Sequence, residues 1–214
     1  PKEKILTLNV NISGRVNPDI GYSYSLFNFS EVSLSSLIEE KTGFQTTIDN
    51  DSRAMAYGEY IAGCVKGEKN VLFINISWGL GMGIILNGKV YKGRSGFSGE
   101  IGHIHTFDNE LICHCGKKGC LETEASGSAF YRIVKERINA GEASTVKTDH
   151  NGDFSFQDLI DAVNNEDSLC IDVVDSIGHK LGLQISALIN IFNPELVIIG
   201  GSMAATGVYL LQAI

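Results

Sequence analysis

The sequence predicts an α/β protein, because strand-like apolar segments alternate with amphipathic helical segments along its 214 residues. The clearest helix covers residues 167–192, where apolar side chains recur every three to four positions until Asn193-Pro194 ends the pattern. The clearest strands are residues 71–76, which are almost wholly apolar, and residues 196–199, which we expect to be buried.

The first third of the chain follows the same alternation of strands and helices. The strand candidates are residues 4–13, 22–29 and 44–48. The helix candidates are a segment that begins near Leu34 and ends at Gly43, and an alanine-rich segment over residues 51–65. A polar turn at residues 66–70 is the best internal boundary, so we expect one lobe over residues 1–68 and a second over residues 69–214.

The remaining segments belong to the second lobe. Residues 77–83 predict a glycine-rich bend, and residues 84–86 followed by Asn87-Gly88 predict a hairpin. An amphipathic helix runs through Phe130 and Ile138 and should end at Gly141, and residues 143–153 are a polar loop.

Composition and charge exclude several classes of protein. A hydrophobic content of 43% is ordinary for a globular core, and no apolar run approaches the roughly 18 residues of a membrane span. A net charge of −8 repels phosphate backbones, so this segment should not bind DNA by itself. An odd count of five cysteines without a signal peptide favours a reducing, cytoplasmic location. Pro1 is not a natural initiator, so we expect a fragment.

A cluster of three cysteines is the strongest local signal. His103 is followed, after nine residues, by Cys113, Cys115 and Cys120 in a segment whose glycines allow a tight loop. Zinc prefers about four thiolate or imidazole ligands in a tetrahedron, and such a closed Cys3His set predicts a structural metal. The alternative is a group of buried thiols beside a histidine.

Other residues compete for the same role. His105 and His114 are further ligand candidates near the cluster. Cys64 and Cys170 lie in helical patterns, where small core residues are the simpler interpretation.

Two motifs around this cluster together resemble the signature of the ROK family (repressors, open reading frames and sugar kinases). The motifs are Gly99-Glu100-Ile101-Gly102-His103 and Cys113-x-Cys115-Gly116-x-x-Gly119-Cys120-Leu121-Glu122. The resemblance extends from about Ile5 to about Met203, and it is closest to the sugar-responsive regulators of the family.

The resemblance implies an actin-like ATPase fold, related to ribonuclease H, with two lobes, of which the first is incomplete here. Residues 1–68 would be the remainder of the first lobe, with a sugar-side loop and a catalytic-type aspartate. Residues 69–214 would form the second lobe, with a phosphate-type loop, the zinc loop and the long core helix.

The resemblance also implies a set of sugar ligands. Asp51 matches the catalytic base of the kinases, although its position also suits a helix N-cap. Asn50 matches a sugar ligand or a turn residue. Glu100, His103 and Glu122 match the remaining hydroxyl ligands, with solvated surface charge as the alternative for both glutamates. The last sugar-contact candidate is Asn28.

The nucleotide loops depart from the kinase pattern. The candidates for nucleotide binding are Gly79, Gly81, Gly83, Gly200 and Gly201. Family kinases usually carry Gly-Thr-Gly in the stretch that matches Ser77-Trp78-Gly79-Leu80-Gly81 here, so the threonine hydroxyl is replaced by the bulky indole of Trp78. We interpret the loop as having lost efficient use of ATP.

Two functions follow from the resemblance. The first is the effector domain of a sugar-responsive transcriptional regulator, which would bind a sugar or amino sugar and reach DNA only through a missing N-terminal domain. The second is a hexose or N-acetylhexosamine kinase that uses ATP and Mg²⁺. In both, we expect structural zinc, no membrane, and a homo-oligomer, a dimer or a tetramer.

Overall fold

The computed structural model describes residues 4–27, 31–150 and 152–214. Its strands are β1 (Thr7–Ile12), β2 (Val16–Asn17), β3 (Tyr22–Ser23), β4 (Gln45–Asn50), β5 (Val71–Ile76), β6 (Leu80–Leu86), β7 (Lys89–Val90) and β8 (Leu196–Gly200). Its helices are α1 (Leu34–Thr42), α2 (Asp51–Ala62), α3 (Gly127–Asn139), α4 (Phe156–Asn164), α5 (Ser168–Phe192) and α6 (Val208–Ala213). Short 3-10 turns cover Ile101–His103, Leu121–Thr123 and Ser202–Thr206.

The strands in the described part of the chain form three sheets. Strands β1 and β4 pair in parallel, β2 and β3 pair antiparallel, and a four-stranded sheet has the order β7-β6-β5-β8. The predicted hairpin is confirmed, because β6 and β7 are antiparallel. Asn87 and Gly88 both have positive φ, as the tight hairpin turn between twisted strands requires.

The chain divides into two compact units. The first contains Pro1–Phe73, Met82–Glu100 and Glu195–Val197, and the second contains Ile74–Gly81, Ile101–Pro194 and Ile198–Ile214. Within the described residues, no helix has the length and the apolar character that crossing a membrane would require.

Helix α5 confirms the longest predicted helix. Its buried face includes Leu169, Val173, Ile177 and Leu181, which follow the predicted spacing. Asn193 ends the helix in the left-handed conformation. Near the end of the helix, Ile189 was expected in the core but is 43% exposed, whereas the adjacent Leu188 is buried.

Several local predictions are wrong. Only Tyr22–Ser23 of the candidate strand at 22–29 is a strand within its described part. The bend after β5 is short, since β6 already begins at Leu80. Strand β8 is half-buried rather than buried. Cys64 is exposed, because α2 ends at Ala62 and leaves it beyond the helix.

Helix α4 was not predicted, although the sequence carries its start signal. Ser155 caps the helix and Asp158 returns a hydrogen bond to the Ser155 backbone, which forms a reciprocal capping box. The predicted core character of Cys170, in contrast, is confirmed, because this residue is fully buried.

Gly83 allows strand β6 to lie directly against helix α2 in the first unit. A Cβ atom at Gly83 would lie 2.3 Å from the Ala56 Cβ and 2.7 Å from the Ser52 carbonyl oxygen. We therefore expect Gly83→Ala to lower the free energy of unfolding by about 2 kcal/mol, measured by urea denaturation. Gly58→Ala, on the same helix with open space around it, should instead raise stability by up to about 1 kcal/mol. Equal effects of both changes would refute the close-packing explanation.

Asp167 caps helix α5 and also holds the preceding loop. Its carboxylate accepts hydrogen bonds from the Cys170 N–H at 2.8 Å, the Thr145 hydroxyl at 2.9 Å and the Ser144 hydroxyl at 3.0 Å. Burial alone would raise the pKa of Asp167, but the N–H groups of Thr145 and Cys170 and these hydroxyls outweigh it and lower the pKa from about 3.8 to about 2.

We expect Asp167→Ala to destabilise the second unit by about 2 kcal/mol, because the cap and the loop contacts are lost together. Asp167→Asn keeps a capping oxygen and should cost less. Since the folded pKa lies below the unfolded value, the ionised carboxylate stabilises the fold above about pH 4 and this contribution is lost as the pH falls toward 2. The stability difference between the natural protein and Asp167→Asn should shrink over that interval, and a constant difference would contradict this.

Candidate functional site

The predicted metal ligands lie together in the second unit. Each of four residues offers one donor atom, and these four atoms all lie within 4.8 Å of one another. The residues are His103, Cys113, Cys115 and Cys120. Two of these side chains come from the loop between His103 and Cys120, whose ends are joined by a bridge between His105 and Cys120. The nine residues between His103 and Cys113 therefore form a loop that returns the chain to the histidine.

The donor spacing fits a tetrahedral ion. Two thiolates bound to one zinc at about 2.3 Å lie about 3.8 Å apart, and a thiolate and an imidazole nitrogen about 3.6 Å apart. The Cys115 and Cys120 Sγ atoms are 3.6 Å apart, and the Cys113 Sγ lies 3.5 Å from Nδ1 of His103. These four side chains could therefore hold a metal, with Nδ1 as the histidine ligand atom.

The three thiols differ in acidity. Burial raises the pKa of Cys113 to about 12 and also raises that of Cys120. Burial acts in the same sense on Cys115, but the Lys117 N–H and the neighbouring thiols outweigh it and lower the pKa of Cys115. A cation in the cluster would favour all three thiolates, because it replaces the repulsion between their charges with attraction.

The loop owes its tight path to backbone hydrogen bonds and to one glycine. The Cys113 N–H donates to the Lys117 carbonyl at 2.8 Å, and the Lys117 ammonium donates to the His103 carbonyl at 2.8 Å. Gly119 has a φ of 70°, and a Cβ atom there would lie 2.0 Å from the Phe107 carbonyl oxygen. A side chain at this position would therefore push the loop away from Phe107 and His105.

Glu122 follows the cysteine loop and is only 7% exposed. Its Oε2 accepts the Leu80 N–H at 2.9 Å, and its Oε1 lies 2.9 Å from Nδ1 of His114. A Cβ atom at Gly79 would lie 2.9 Å from the same Oε2, so the glycine makes room for the carboxylate. This burial contradicts the solvated-surface alternative for Glu122.

His114 was considered only as a competing metal ligand. Its side chain is 66% exposed, and its ring packs edge-on against His103 with the centroids 5.0 Å apart. The three donors of His103, His114 and Glu122 also form a close group. The contact between His114 and Glu122 could not be predicted from the sequence, because it depends on how the loop folds.

Asn50 and Asp51 lie at the junction of β4 and α2 in the first unit. The N-cap is Asn50, whose side chain accepts the Arg53 N–H at 3.1 Å and donates to the Gly14 carbonyl at 3.0 Å. The capping alternative for Asp51 is therefore wrong. Oδ2 of Asp51 instead accepts a hydrogen bond of 2.5 Å from the Ser13 hydroxyl.

Arg53 was not singled out, yet it organises this junction. Its side chain is buried, pairs with Asp49 at 2.5 Å, and donates to the backbone carbonyls of Val16 and Gly96. A buried arginine is rare without such partners. Arg53 lies among polar residues in the first turn of α2, so the sequence gives no sign that it is buried.

The remaining sugar candidates are Glu100 and Asn28. Glu100 lies in the first unit, is partly exposed and has an oxygen 3.9 Å from Nε of Arg15. Asn28 lies outside the described residues. The proposed sugar contacts of both remain predictions.

The glycines predicted for nucleotide binding occupy three places. Gly79 lies in the bend before β6, whereas Gly81 and Gly83 lie inside β6. Gly200 ends β8, and Gly201 follows it with a φ of 87°.

The bend before β6 and the turn after β8 meet, since the Ser202 N–H donates to the Ser77 hydroxyl at 3.1 Å. That contact lies within the second unit. The nucleotide role of the glycines in these segments stays a prediction.

Comparison with known proteins gives the class to which the chain belongs. The family description "ROK family" matches residues 2–214. The chain therefore belongs to the ROK family, as the motifs predicted. The α/β, actin-like ATPase fold predicted with it is confirmed by solved relatives of the same fold.

Individual relatives fall into two groups. A glucokinase of Halalkalibacterium halodurans is 34% identical over all of this chain and 66% of its own length. The transcriptional regulator NagC of Escherichia coli is 32% identical over 99% of this chain and 52% of its own length. The chain thus spans about half to two thirds of these curated relatives.

Solved structures show the same division. A ROK family transcriptional regulator, homologous to the Escherichia coli MLC protein, is 35% identical with a TM-score of 0.82, over 97% of this chain and 52% of that one. A ROK family glucokinase from Streptomyces griseus, solved with glucose and AMPPNP, is 28% identical with a TM-score of 0.85, over 99% of this chain and 70% of that one.

Proposed function

We propose that this chain is the sugar-binding effector region of a ROK-family transcriptional regulator, with a structural zinc ion held by His103, Cys113, Cys115 and Cys120. The observation that carries the choice of regulator over kinase is the bend that holds Trp78. Two of the relatives named above are transcriptional regulators, and they match 99% and 97% of this chain.

The bend around Trp78 is poorly suited to phosphate. A phosphate loop offers free backbone N–H groups and excludes carboxylates. Here the Leu80 N–H is taken by Oε2 of Glu122 at 2.9 Å, and the Ser77 N–H bonds to the Gly79 carbonyl at 3.0 Å. A buried carboxylate on the loop would repel a triphosphate, which supports a protein that binds sugar without using ATP.

The zinc loop would connect metal binding to sugar binding. Nδ1 of His103 faces the thiol of Cys113, and the other ring nitrogen, Nε2, would be the atom that contacts a sugar hydroxyl. Glu122 lies two residues after Cys120, so the same loop positions the second hydroxyl ligand. When bound, zinc would cross-link the loop and so restrict the conformations that the loop can adopt.

The polar groups of the first unit are also proposed as sugar ligands. Asp51 and Asn50 are preorganised by Ser13, Arg53 and Gly14, and a carboxylate so placed can accept hydroxyl hydrogen bonds. Glu100 remains a further proposed contact.

A sugar kinase is the second candidate, and Asp51 together with the glucokinase relative favours it. A base at that position could accept the proton of a sugar hydroxyl during phosphoryl transfer from ATP and Mg²⁺. A kinase function would require the bend around Trp78 to rearrange so that its N–H groups could bind phosphate.

Calorimetry and a coupled kinase assay on the full-length protein distinguish these functions. The regulator predicts binding of at least one of glucose, N-acetylglucosamine, mannose and xylose, without ATP turnover, and a change in DNA affinity of the intact protein when that sugar is added. Turnover near 1 s⁻¹ or above that vanishes in Asp51→Ala would establish the kinase instead. Absence of heat with all four monosaccharides and with the glycosides that contain them would refute both.

A further inference from the structure

A cavity of about 300 Å³ lies beside Glu122 within the second unit. Its volume is at the lower end of the range for small-molecule sites. Its apolar and polar walls include Trp78, Leu111, Ile112, His114, Glu122 and Arg132. Cys113 and Glu122, which also line it, belong to the candidate metal and sugar sites, whereas Leu111, Ile112 and Arg132 belong to neither site.

Trp78 forms a preorganised aromatic wall of the cavity. Its indole is 56% exposed, although its carbonyl accepts the Ser128 N–H at 2.9 Å and fixes its backbone at the start of α3. The rings of Tyr131 and Phe156 support it at centroid distances of 5.7 and 6.1 Å. A rigid, exposed indole gains apolar contact on binding without a large loss of side-chain entropy.

The polar wall suits hydroxyl groups better than an anion. Glu122 supplies a buried acceptor, and Arg132 is held by the Thr123 carbonyl at 3.0 Å and the Glu136 carboxylate at 3.1 Å. Because Glu136 and Glu124 offset the guanidinium charge, and Glu122 adds a negative one, a phosphate would be repelled. A neutral ring with hydroxyls at its edge and C–H groups on its face matches both walls.

We propose that this cavity binds the second ring of a glycoside, so that the ligand of the protein is a disaccharide rather than a lone monosaccharide. One ring would contact Glu122 and His103 as in the proposed function, on which this inference rests. The next ring would stack on Trp78 and hydrogen-bond to Glu122 and Arg132. Glu122 is the residue that belongs to both sites.

Trp78 itself reports on this cavity, because it is the only tryptophan among these 214 residues and its signal is identified as the part that Trp78→Ala removes. The full-length protein is titrated with glucose, N-acetylglucosamine and xylose, and with maltose, cellobiose, lactose, sucrose and N,N′-diacetylchitobiose. Indole fluorescence and calorimetry are recorded together. We expect at least one disaccharide to change the fluorescence and to bind at least tenfold more tightly than its component monosaccharide.

The variant Trp78→Ala should reduce that ratio of affinities to about one, and Tyr57→Ala, an exposed aromatic residue of the first unit, should leave the ratio unchanged. If a monosaccharide binds and no disaccharide binds more tightly, or if Trp78→Ala weakens both equally, the second-ring site is wrong while the proposed function stands. If no sugar of either kind binds, the proposed function fails and this inference fails with it.

Discussion

Replacement of Cys115 by serine is expected to destabilise the second unit and abolish sugar binding together. The serine hydroxyl is a poor zinc ligand, and binding of a structural zinc contributes directly to folding. We expect a loss of about 3 kcal/mol or more in the free energy of unfolding, against a total of roughly 5–15 kcal/mol for a typical domain. Thermal unfolding, elemental analysis and sugar calorimetry measure the three consequences, and the natural protein should contain about one zinc per chain.

The chain offers a matched control for this change. Cys64 is exposed and lies outside the cluster, so Cys64→Ser should leave zinc content, stability and sugar affinity unchanged. Removal of zinc from the natural protein by a chelator should reproduce the effect of Cys115→Ser. Full sugar affinity in the metal-free protein would show that the loop does not position Glu122.

Replacement of Glu122 by glutamine is expected to weaken sugar binding by about 100-fold with little loss of stability. Glutamine keeps an oxygen for the Leu80 N–H but removes the negative charge. Loss of the charge-assisted hydrogen bond to the sugar should cost about 3 kcal/mol of binding free energy. Glu122→Ala should weaken binding equally and also destabilise the fold, because the Leu80 N–H loses its partner.

Glu110→Gln is the control for Glu122→Gln. Glu110 lies on the same loop, is almost fully exposed and pairs with Lys118, so its loss should change neither sugar affinity nor stability measurably. If Glu122→Gln bound sugar as well as the natural protein, Glu122 would be a structural residue that joins the cysteine loop to β6 and not a sugar ligand.

Elements with strong local signals could be predicted from the sequence. Helix α5 has a regular apolar period and a clear end at Asn193, and the hairpin between β6 and β7 has its Asn87-Gly88 turn. Helix α4 was missed because it is short and follows a polar loop, although Ser155 and Asp158 carry its capping signal. Burial at the last turn of α5 was also overestimated, since periodicity does not show how far neighbouring elements extend.

The metal cluster could be predicted for a similar reason. Cys113, Cys115 and Cys120 are close in sequence, so a short loop is enough to bring their thiols together. His103 needed only one excursion of nine residues to join them. The family motifs pointed to Glu122 but could not show that its carboxylate is buried against β6.

Residues close in sequence, or a recognisable motif, were enough to predict the α/β class, the family, the positions of the long helix and the hairpin, and the four candidate metal ligands. Three further features became visible only in the folded chain: Asn50 rather than Asp51 caps α2, Glu122 accepts the Leu80 N–H, and Trp78 and Arg132 line one cavity. The last two features join segments far apart in sequence, and the Asn50 side chain that caps α2 also donates to the distant Gly14 carbonyl. Their geometry depends on the packing of those segments, which no local pattern contains.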